Sequence, residues 1–131
     1  MADTYQTFGG GGGNFSTPIN MAGAQVTFYW GDALVAIMIN NTKYGGNTGS
    51  LQSVTVQMPT DGKVVLKKMQ AKNDQGYMVV SYLEFEILGA STKVGKLSTN
   101  AATLTTDCVI MFTGINCGGL IDQLKYQIIP S

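Results

Sequence analysis

The stretch INCGGLID, residues 115–122, places two glycines and one carboxylate among apolar residues. Backbone amides of a glycine-rich loop can approach a ligand closely because no Cβ intervenes. A carboxylate accepts two hydroxyl hydrogen bonds at once, and charge-assisted hydrogen bonds are the stronger kind. Gly118, Gly119 and Asp122 therefore indicate a site for a neutral polyol, for which an aromatic ring elsewhere would supply an apolar wall.

The sequence lacks the residues that several catalytic, metal-binding and nucleotide-binding sites require. The chain has no histidine, which excludes Ser-His-Asp and Cys-His catalysis and any histidine-containing metal site. Two cysteines alone cannot form a closed zinc site. The glycine run that starts at Gly9 places Asn14 where a dinucleotide fingerprint needs its last glycine, and both Gly-Lys pairs precede an aliphatic residue instead of Ser or Thr. We therefore expect no metal and no cofactor.

Glu84 and Glu86 share one face of a predicted strand. Paired carboxylic acids can hydrolyse glycosides. A solvated strand face explains the same pair without catalysis. We therefore expect a binding protein with no catalytic residues, with a glycosidase as the alternative.

Composition excludes several partners. Eight basic and eight acidic residues cancel, whereas nucleic-acid affinity comes largely from neutralising phosphates. No apolar run approaches the roughly 20 residues that span a bilayer, so we expect neither nucleic-acid binding nor membrane insertion. A chain of 131 residues that is 44% hydrophobic fits a single domain, residues 1–131.

Cys108 and Cys117 are too few for a disulfide framework. Two reduced thiols in a cytosolic protein are the default interpretation, and a bridge within one hairpin is the alternative. The N-terminal segment MADTYQTFGG has neither a positive n-region nor an apolar h-region. We therefore expect a cytoplasmic protein, with leaderless secretion as the alternative.

Strand patterns recur along the chain, and helix signals are nearly absent. In QVTFYW, for example, Val26, Phe28 and Trp30 form an apolar side. The segments predicted as strands are QVTFYW, ALVAIMIN, SVTVQM, KVVLKKMQAK, VVSYLEFEIL, CVIMFTGI and LIDQLKYQII. The segments predicted as turns are GGGGGN, NNTKYGGNTGS, PTDGK, KNDQGY, GASTKVGK and INCGG. This organisation predicts an all-β sandwich, barrel or prism.

Three segments resemble one another: WGDALVAIMI, QGYMVVSYLEFEI and CGGLIDQLKYQI. Each has a polar or glycine-containing turn followed by an apolar strand, at a spacing of about 45 residues. Three related units in one small domain predict pseudo-threefold packing, in which each unit buries a face that it cannot bury alone.

The segments FGGGGGNF, GYMVVSYLEF and GGLIDQL, in this order, resemble the jacalin-related lectins, in particular their single-chain mannose-binding members. The resemblance covers roughly residues 8–129. It implies a β-prism I of three four-stranded antiparallel sheets with pseudo-threefold symmetry. It also implies a shallow carbohydrate site at one end of the prism, formed by three loops.

By this resemblance, the amide of Gly13, or of Gly12 if the alignment slips by one, faces the sugar. Asp122 accepts hydrogen bonds from two adjacent sugar hydroxyls. The full implied set of carbohydrate-binding residues is Gly12, Gly13, Tyr77, Met78, Gly118, Gly119, Leu120 and Asp122. The third loop, with Tyr77 and Met78, shows no obvious charged group.

Each of these residues has a simpler interpretation. Asp122 could cap its own turn, and Gly118 and Gly119 could serve turn geometry alone. Tyr77 could be an exposed loop aromatic without a ligand, and Met78 could be core filler. The five-glycine run could be a linker.

Two copies of the repeated element depart from the family pattern. Val35 and Ser81 occupy the positions that align with Asp122. Because valine cannot accept hydroxyl hydrogen bonds, we expect one sugar site per chain.

Galactose-preferring members of the family are implied to use a free α-amino group at the site glycine, whereas Gly13 follows twelve residues. Mannose-type or glucose-type glycans are therefore the expected partners, bound by a homodimer or higher homo-oligomer. The alternatives are a galactose-preferring lectin and a sugar-silent protein-interaction module.

Overall fold

Alternating polar and apolar residues form eleven β-strands and no helix within residues 4–130, which the computed structural model describes. The strands are β1 (Thr4–Gly9), β2 (Phe15–Pro18), β3 (Gln25–Trp30), β4 (Leu34–Ile39), β5 (Thr42–Gly45), β6 (Gln52–Gln57), β7 (Val64–Asp74), β8 (Tyr77–Ile87), β9 (Ala90–Gly95), β10 (Ala102–Cys117) and β11 (Ile121–Ile128). Across this range no helix is long and apolar enough to cross a membrane. The all-β prediction is confirmed.

The alternating segments became strands as predicted, and Val26 and Phe28 of β3 are fully buried. The strands β5 and β9 lie inside segments predicted as turns. Each is at the edge of its sheet and pairs on one side only. Edge strands are short and carry polar residues such as Lys43 and Lys93, so they lack the apolar alternation that identified the others.

The strands form two antiparallel sheets. One is four-stranded, in the order β5-β4-β3-β6, and the other is seven-stranded, in the order β1-β11-β10-β7-β8-β9, with β2 also paired to β10. Strand β10 connects two groups of strands within the larger sheet, because residues 102–110 pair with β7 and residues 110–117 pair with β11. The implied division into three sheets is therefore not seen as three separate hydrogen-bonded units.

The two sheets enclose one apolar core. Phe28 of the smaller sheet contacts Phe85 of the larger sheet, with ring centroids 5.7 Å apart, and Phe85 contacts Phe112 at 6.2 Å. Burying a side chain of this size contributes about 1.5–3 kcal/mol relative to leaving it exposed.

A β-bulge occurs at the same place in three hairpins. Val35 is skipped in the pairing of β3 with β4, Ser81 in the pairing of β7 with β8, and Asp122 in the pairing of β10 with β11. An extra residue in one strand interrupts the ladder locally and redirects side chains. The three bulged residues are those that the internal repeat aligns.

The carbonyl of each bulged residue accepts a hydrogen bond from the backbone that follows a neighbouring strand. The three bonds run from Gly10 N to Asp122 O (2.9 Å), from Gly46 N to Val35 O (2.9 Å) and from Lys96 N to Ser81 O (3.0 Å). The residue before each donor is a glycine with positive φ: Gly9, Gly45 and Gly95. A Cβ on any of these glycines would clash with the carbonyl oxygen of the bulged residue in its own repeat. One local structure is thus repeated three times.

Both cysteines lie on β10 and are free thiols. Eight residues of extended chain lie between them, and the nine steps from Cys108 to Cys117 correspond to about 30 Å. The alternative of a bridge within one hairpin is therefore wrong.

Candidate functional site

The glycine run lies between β1 and β2 and packs against the start of β11. Gly10 donates its hydrogen bond to Asp122 O, and a Cβ on Gly10 would meet the backbone of Met78. A Cβ on Gly13 would meet the backbone of Cys117. The segment is a packed part of the fold, so its interpretation as a linker is wrong.

Asp122 occupies the bulge of β11 and is only 7% exposed. Within residues 4–130, no group donates a hydrogen bond to its carboxylate, so Asp122 does not cap the turn through its side chain. Burial raises the pKa of the Asp122 carboxyl, and the nearby charge of Asp74 raises it further. Water can hydrate the carboxylate through the open cavity, and hydroxyl groups of a ligand would replace that water as donors.

Gly12 and Gly13 cover the Asp122 carboxylate. A Cβ on Gly12 would lie 3.0 Å from Asp122 Oδ2 and 3.1 Å from the ring of Tyr77. A Cβ on Gly13, whose φ is +93°, would lie 3.0 Å from Asp122 Oδ1 and 2.9 Å from the Cys117 carbonyl. Any side chain at these positions would displace the carboxylate or block access to it.

The loop from Gly118 to Leu120 forms the opposite wall. Gly118 N donates to Leu120 O at 3.0 Å, and neither Gly118 nor Gly119 has a positive φ. A Cβ on Gly119 would meet no atom within 4 Å. Turn geometry therefore does not require glycine at position 119, and its absent side chain leaves open space beside the loop.

The third wall is the β7–β8 hairpin. Gln75 and Gly76 both have positive φ, which is typical of a two-residue type I′ turn. This turn pairs Asp74 directly with Tyr77, whose side chain is 63% exposed. The expectation that this loop has no charged group is wrong. The signal was present, because the DQGY pattern of a two-residue hairpin places Asp74 opposite Tyr77.

The three loops enclose an open cavity of about 490 Å³. It is lined by Gly12, Gly13, Asn14, Asp74, Gln75, Tyr77, Val79, Gly118, Gly119, Leu120 and Asp122. Seven of the eight implied site residues are therefore brought together. The exception is Met78, which is not among the lining residues and lies against Gly10. Four further lining residues were not predicted from the sequence: Asn14, Asp74, Gln75 and Val79.

The cavity can bind through acceptors, backbone amides and one aromatic wall. Its lining includes two carboxylates and no lysine or arginine. Among residues 4–130, no group of three or more Cys, Asp or Glu side chains is placed to hold a metal ion. The lining fits a polyhydroxylated ligand whose hydroxyls donate to Asp122.

The other two bulges do not reproduce this chemistry. Val35 has no polar side-chain atom, and the Ser81 hydroxyl is fully buried without a hydrogen-bond partner. A cavity of about 560 Å³ adjoins Gly95, but Asp32 and Lys96 form an ion pair at 3.5 Å within its lining. Of the three aligned bulges within residues 4–130, only that of Asp122 presents a carboxylate.

Glu84 and Glu86 lie outside the cavity lining. Tyr82 donates its hydroxyl to Glu84 Oε1 at 2.8 Å, and Glu84 is in register with Lys68 and Lys93 on the neighbouring strands. These contacts are those of a polar strand face.

Comparison with solved structures gives the fold. A mannose-specific jacalin-related lectin from Morus nigra, in complex with mannose, matches with a TM-score of 0.71 and 17% identity over 99% of this chain and 96% of that one. Artocarpin, a lectin with mannose specificity, matches with a TM-score of 0.68 and 13% identity over 99% of both chains. Malaysian banana lectin matches with a TM-score of 0.65 and 19% identity over 99% of this chain and all of that one.

The chain therefore has the β-prism fold of the jacalin-related lectins, as the sequence resemblance implied. No protein-family model matches the sequence, and a search of curated proteins gives no match.

Proposed function

We propose that the chain is a non-enzymatic lectin that binds mannose-type or glucose-type glycans through one shallow site. The observation that carries this proposal is the buried Asp122 residue, whose carboxylate lines the cavity and accepts no hydrogen bond from residues 4–130. Two adjacent sugar hydroxyls would donate to its two oxygens. The amides of Gly13, Gly119 and Leu120 would donate to ring or hydroxyl oxygens, and Tyr77 would cover the apolar face of the sugar.

We propose that the whole chain is one lectin domain with pseudo-threefold symmetry. In this description β10 belongs to two four-stranded units, one with β7, β8 and β9 and the other with β1, β2 and β11. The smaller sheet is the third unit. The three bulges and their three carbonyl hydrogen bonds support this arrangement.

Mannose or glucose is favoured over galactose because Gly13 offers a neutral peptide amide rather than a charged amino group. Two of the compared lectins are themselves described as mannose-specific. We further propose that the chain acts as a homodimer or higher homo-oligomer in the cytoplasm, or outside the cell after leaderless secretion. A single shallow site gains useful avidity only when several sites act together.

Retention on immobilised mannan and on a glycan array tests the proposal. Wild type should bind mannose-terminated glycans. Asp122→Ala should lose at least about tenfold in retention, which corresponds to about 1.4 kcal/mol. Its circular dichroism spectrum should remain that of a β protein. Asp32→Ala is the matched control, because Asp32 is exposed and lies outside the cavity.

Equal retention of wild type and Asp122→Ala would contradict the assignment of the site. If folded wild type bound no glycan and captured a protein partner instead, the sugar-silent interaction module would replace the lectin. Retention of galactose-terminated glycans alone would favour the galactose-preferring alternative.

A further inference from the structure

The candidate cavity contains two negative charges and no positive one. Asp74 and Asp122 both line it, and the other nine lining residues are uncharged. Asp74 is near enough for its charge to raise the pKa of the Asp122 carboxyl. Lys72 lines a different cavity, and Lys125, three residues after Asp122, donates to Ser16 Oγ at 3.3 Å.

Neither carboxylate is neutralised by a residue of the described range. Within residues 4–130, no lysine forms an ion pair with Asp74 or Asp122. Asp122 is 7% exposed and receives no hydrogen bond on its carboxylate, so it is a buried polar group directed into the cavity. Asp74 is partly exposed across from Tyr77, at the mouth of the same cavity.

The two carboxylates favour different chemical groups on a ligand. Hydroxyl groups can satisfy the hydrogen bonds of Asp122, but a neutral sugar leaves the net charge of the cavity unchanged. An ammonium group on the ligand would neutralise one charge through a charge-assisted hydrogen bond, which is stronger than a neutral one. A ligand carboxylate would add a third negative charge within a few ångströms of the others.

We propose that this site prefers sugars with a free ammonium group over their neutral counterparts, and that it discriminates against uronic and other acidic sugars. Asp122 holds two hydroxyls, and Asp74 pairs with the ammonium group. Asp74 is thus the specificity-determining residue for charge. This inference rests on the proposed sugar-binding function and specifies the ligand class of the same site.

Calorimetric titration of the full chain with four monosaccharide probes tests the inference. The probes are methyl α-glucoside, methyl α-glucosaminide, its N-acetyl derivative and methyl α-glucuronide. A pH of about 6.5 keeps an aliphatic amine protonated and an ordinary aspartate ionised. We expect the glucosaminide to bind about tenfold more tightly than the glucoside or the N-acetyl derivative. The glucuronide should bind more weakly than either of these two neutral sugars.

Asp74→Asn keeps the shape of the side chain and removes its charge. In this variant the preference for the glucosaminide should fall to about threefold or less, as expected when one charge-assisted hydrogen bond becomes a neutral one. Asp32→Asn removes one aspartate outside the cavity and should retain the wild-type preference.

The outcomes separate this inference from the proposed function. Wild type that binds the glucoside and the glucosaminide equally would overturn the inference and leave the lectin function intact. A preference that falls equally in both Asn variants would also overturn it, because net charge rather than Asp74 would then be responsible. Wild type that binds no probe and no mannoside would overturn both.

Discussion

Asp122 shows how a single bulge converts a strand residue into a ligand-binding group. Ile121 and Asp122 are consecutive, yet both are buried, because the bulge interrupts the alternation of sides along β11. The flanking residues still pair, Ile121 with Cys117 and Gln123 with Asn116. The carboxylate therefore faces the cavity while the neighbouring isoleucine stays in the core.

The charge of Asp122 should destabilise the folded protein at neutral pH. Burial and the charge of Asp74 raise the pKa of this carboxyl in the folded state, so the folded protein binds its proton more readily than the unfolded chain does. Stability then falls as pH rises from the ordinary aspartate pKa through the raised value. We predict that Asp122→Asn has a higher Tm than wild type at pH 7, and that the difference disappears on acidification below the ordinary pKa.

Thermal melts of both proteins across this pH range check the prediction, with Asp32→Asn as the control for net charge. An Asn variant that is less stable than wild type at pH 7 would show that the carboxylate is stabilised by a group that the structure does not pair with it.

Gly13 should be necessary for sugar binding, and Gly11 should not. Gly13 has a positive φ, and its Cβ would meet both the Cys117 backbone and the Asp122 carboxylate, whereas a Cβ on Gly11 would meet nothing within 4 Å. We predict that Gly13→Ala loses at least about tenfold in mannoside affinity and about 1 kcal/mol or more in stability. Calorimetry and thermal melting measure both quantities, and Gly11→Ala is the matched control. Equal effects of the two substitutions would contradict this role for Gly13.

At the scale of elements, the β5–β6 segment supports the site without lining it. Gly46 donates to the bulge carbonyl of Val35, and a Cβ at this position would meet Gly119 O. The 118–120 loop therefore packs against a segment from a different sheet. This contact connects the first structural repeat to the site of the last one.

We predict that Gly46→Ala weakens mannoside binding severalfold, because the 118–120 loop must move to accommodate the methyl group. Gly49→Ala, in the same segment, is the control, since its Cβ would meet no atom within 4 Å. Titration with methyl α-mannoside measures the difference. Unchanged affinity in Gly46→Ala would mean that the position of the loop does not control binding.

Several elements were predictable from the sequence because their apolar alternation reports a buried face. The strand β3, with Val26 and Phe28, is one of them. The edge strands β5 and β9 were not predictable in this way, since pairing with one neighbour requires no apolar side. Asp74 was missed for another reason: KNDQGY was predicted only as a turn, whereas its two-residue hairpin pairs Asp74 with Tyr77 beside the cavity.

At the scale of the whole molecule, the internal repeat aligned three residues that the structure places in equivalent β-bulges. Val35, Ser81 and Asp122 align in sequence and occupy the same local structure. The repeat did not reveal that β10 runs continuously through two groups of strands, because a long strand with its own bulges has no distinct sequence signal. Nor did it reveal that Met78 lies against Gly10 outside the cavity lining.

The internal repeat also predicts how many sugars each chain binds. Only one of the three bulged residues carries a carboxylate, so we predict a stoichiometry of one monosaccharide per chain. Calorimetry with methyl α-mannoside at a known chain concentration gives this number. Two or three sugars per chain would show that Val35 or Ser81 lies in a working site despite lacking an accessible acceptor.

The location of the sugar is most directly measured by NMR titration of the isotope-labelled full chain with methyl α-mannoside. We predict that five backbone amide signals shift together and saturate with one affinity: those of Gly12, Gly13, Gly119, Leu120 and Asp122. Shifts that centre instead on Val35 and Gly46, or on Ser81 and Lys96, would place the ligand at another repeat. No shift at saturating sugar would contradict carbohydrate binding at this site.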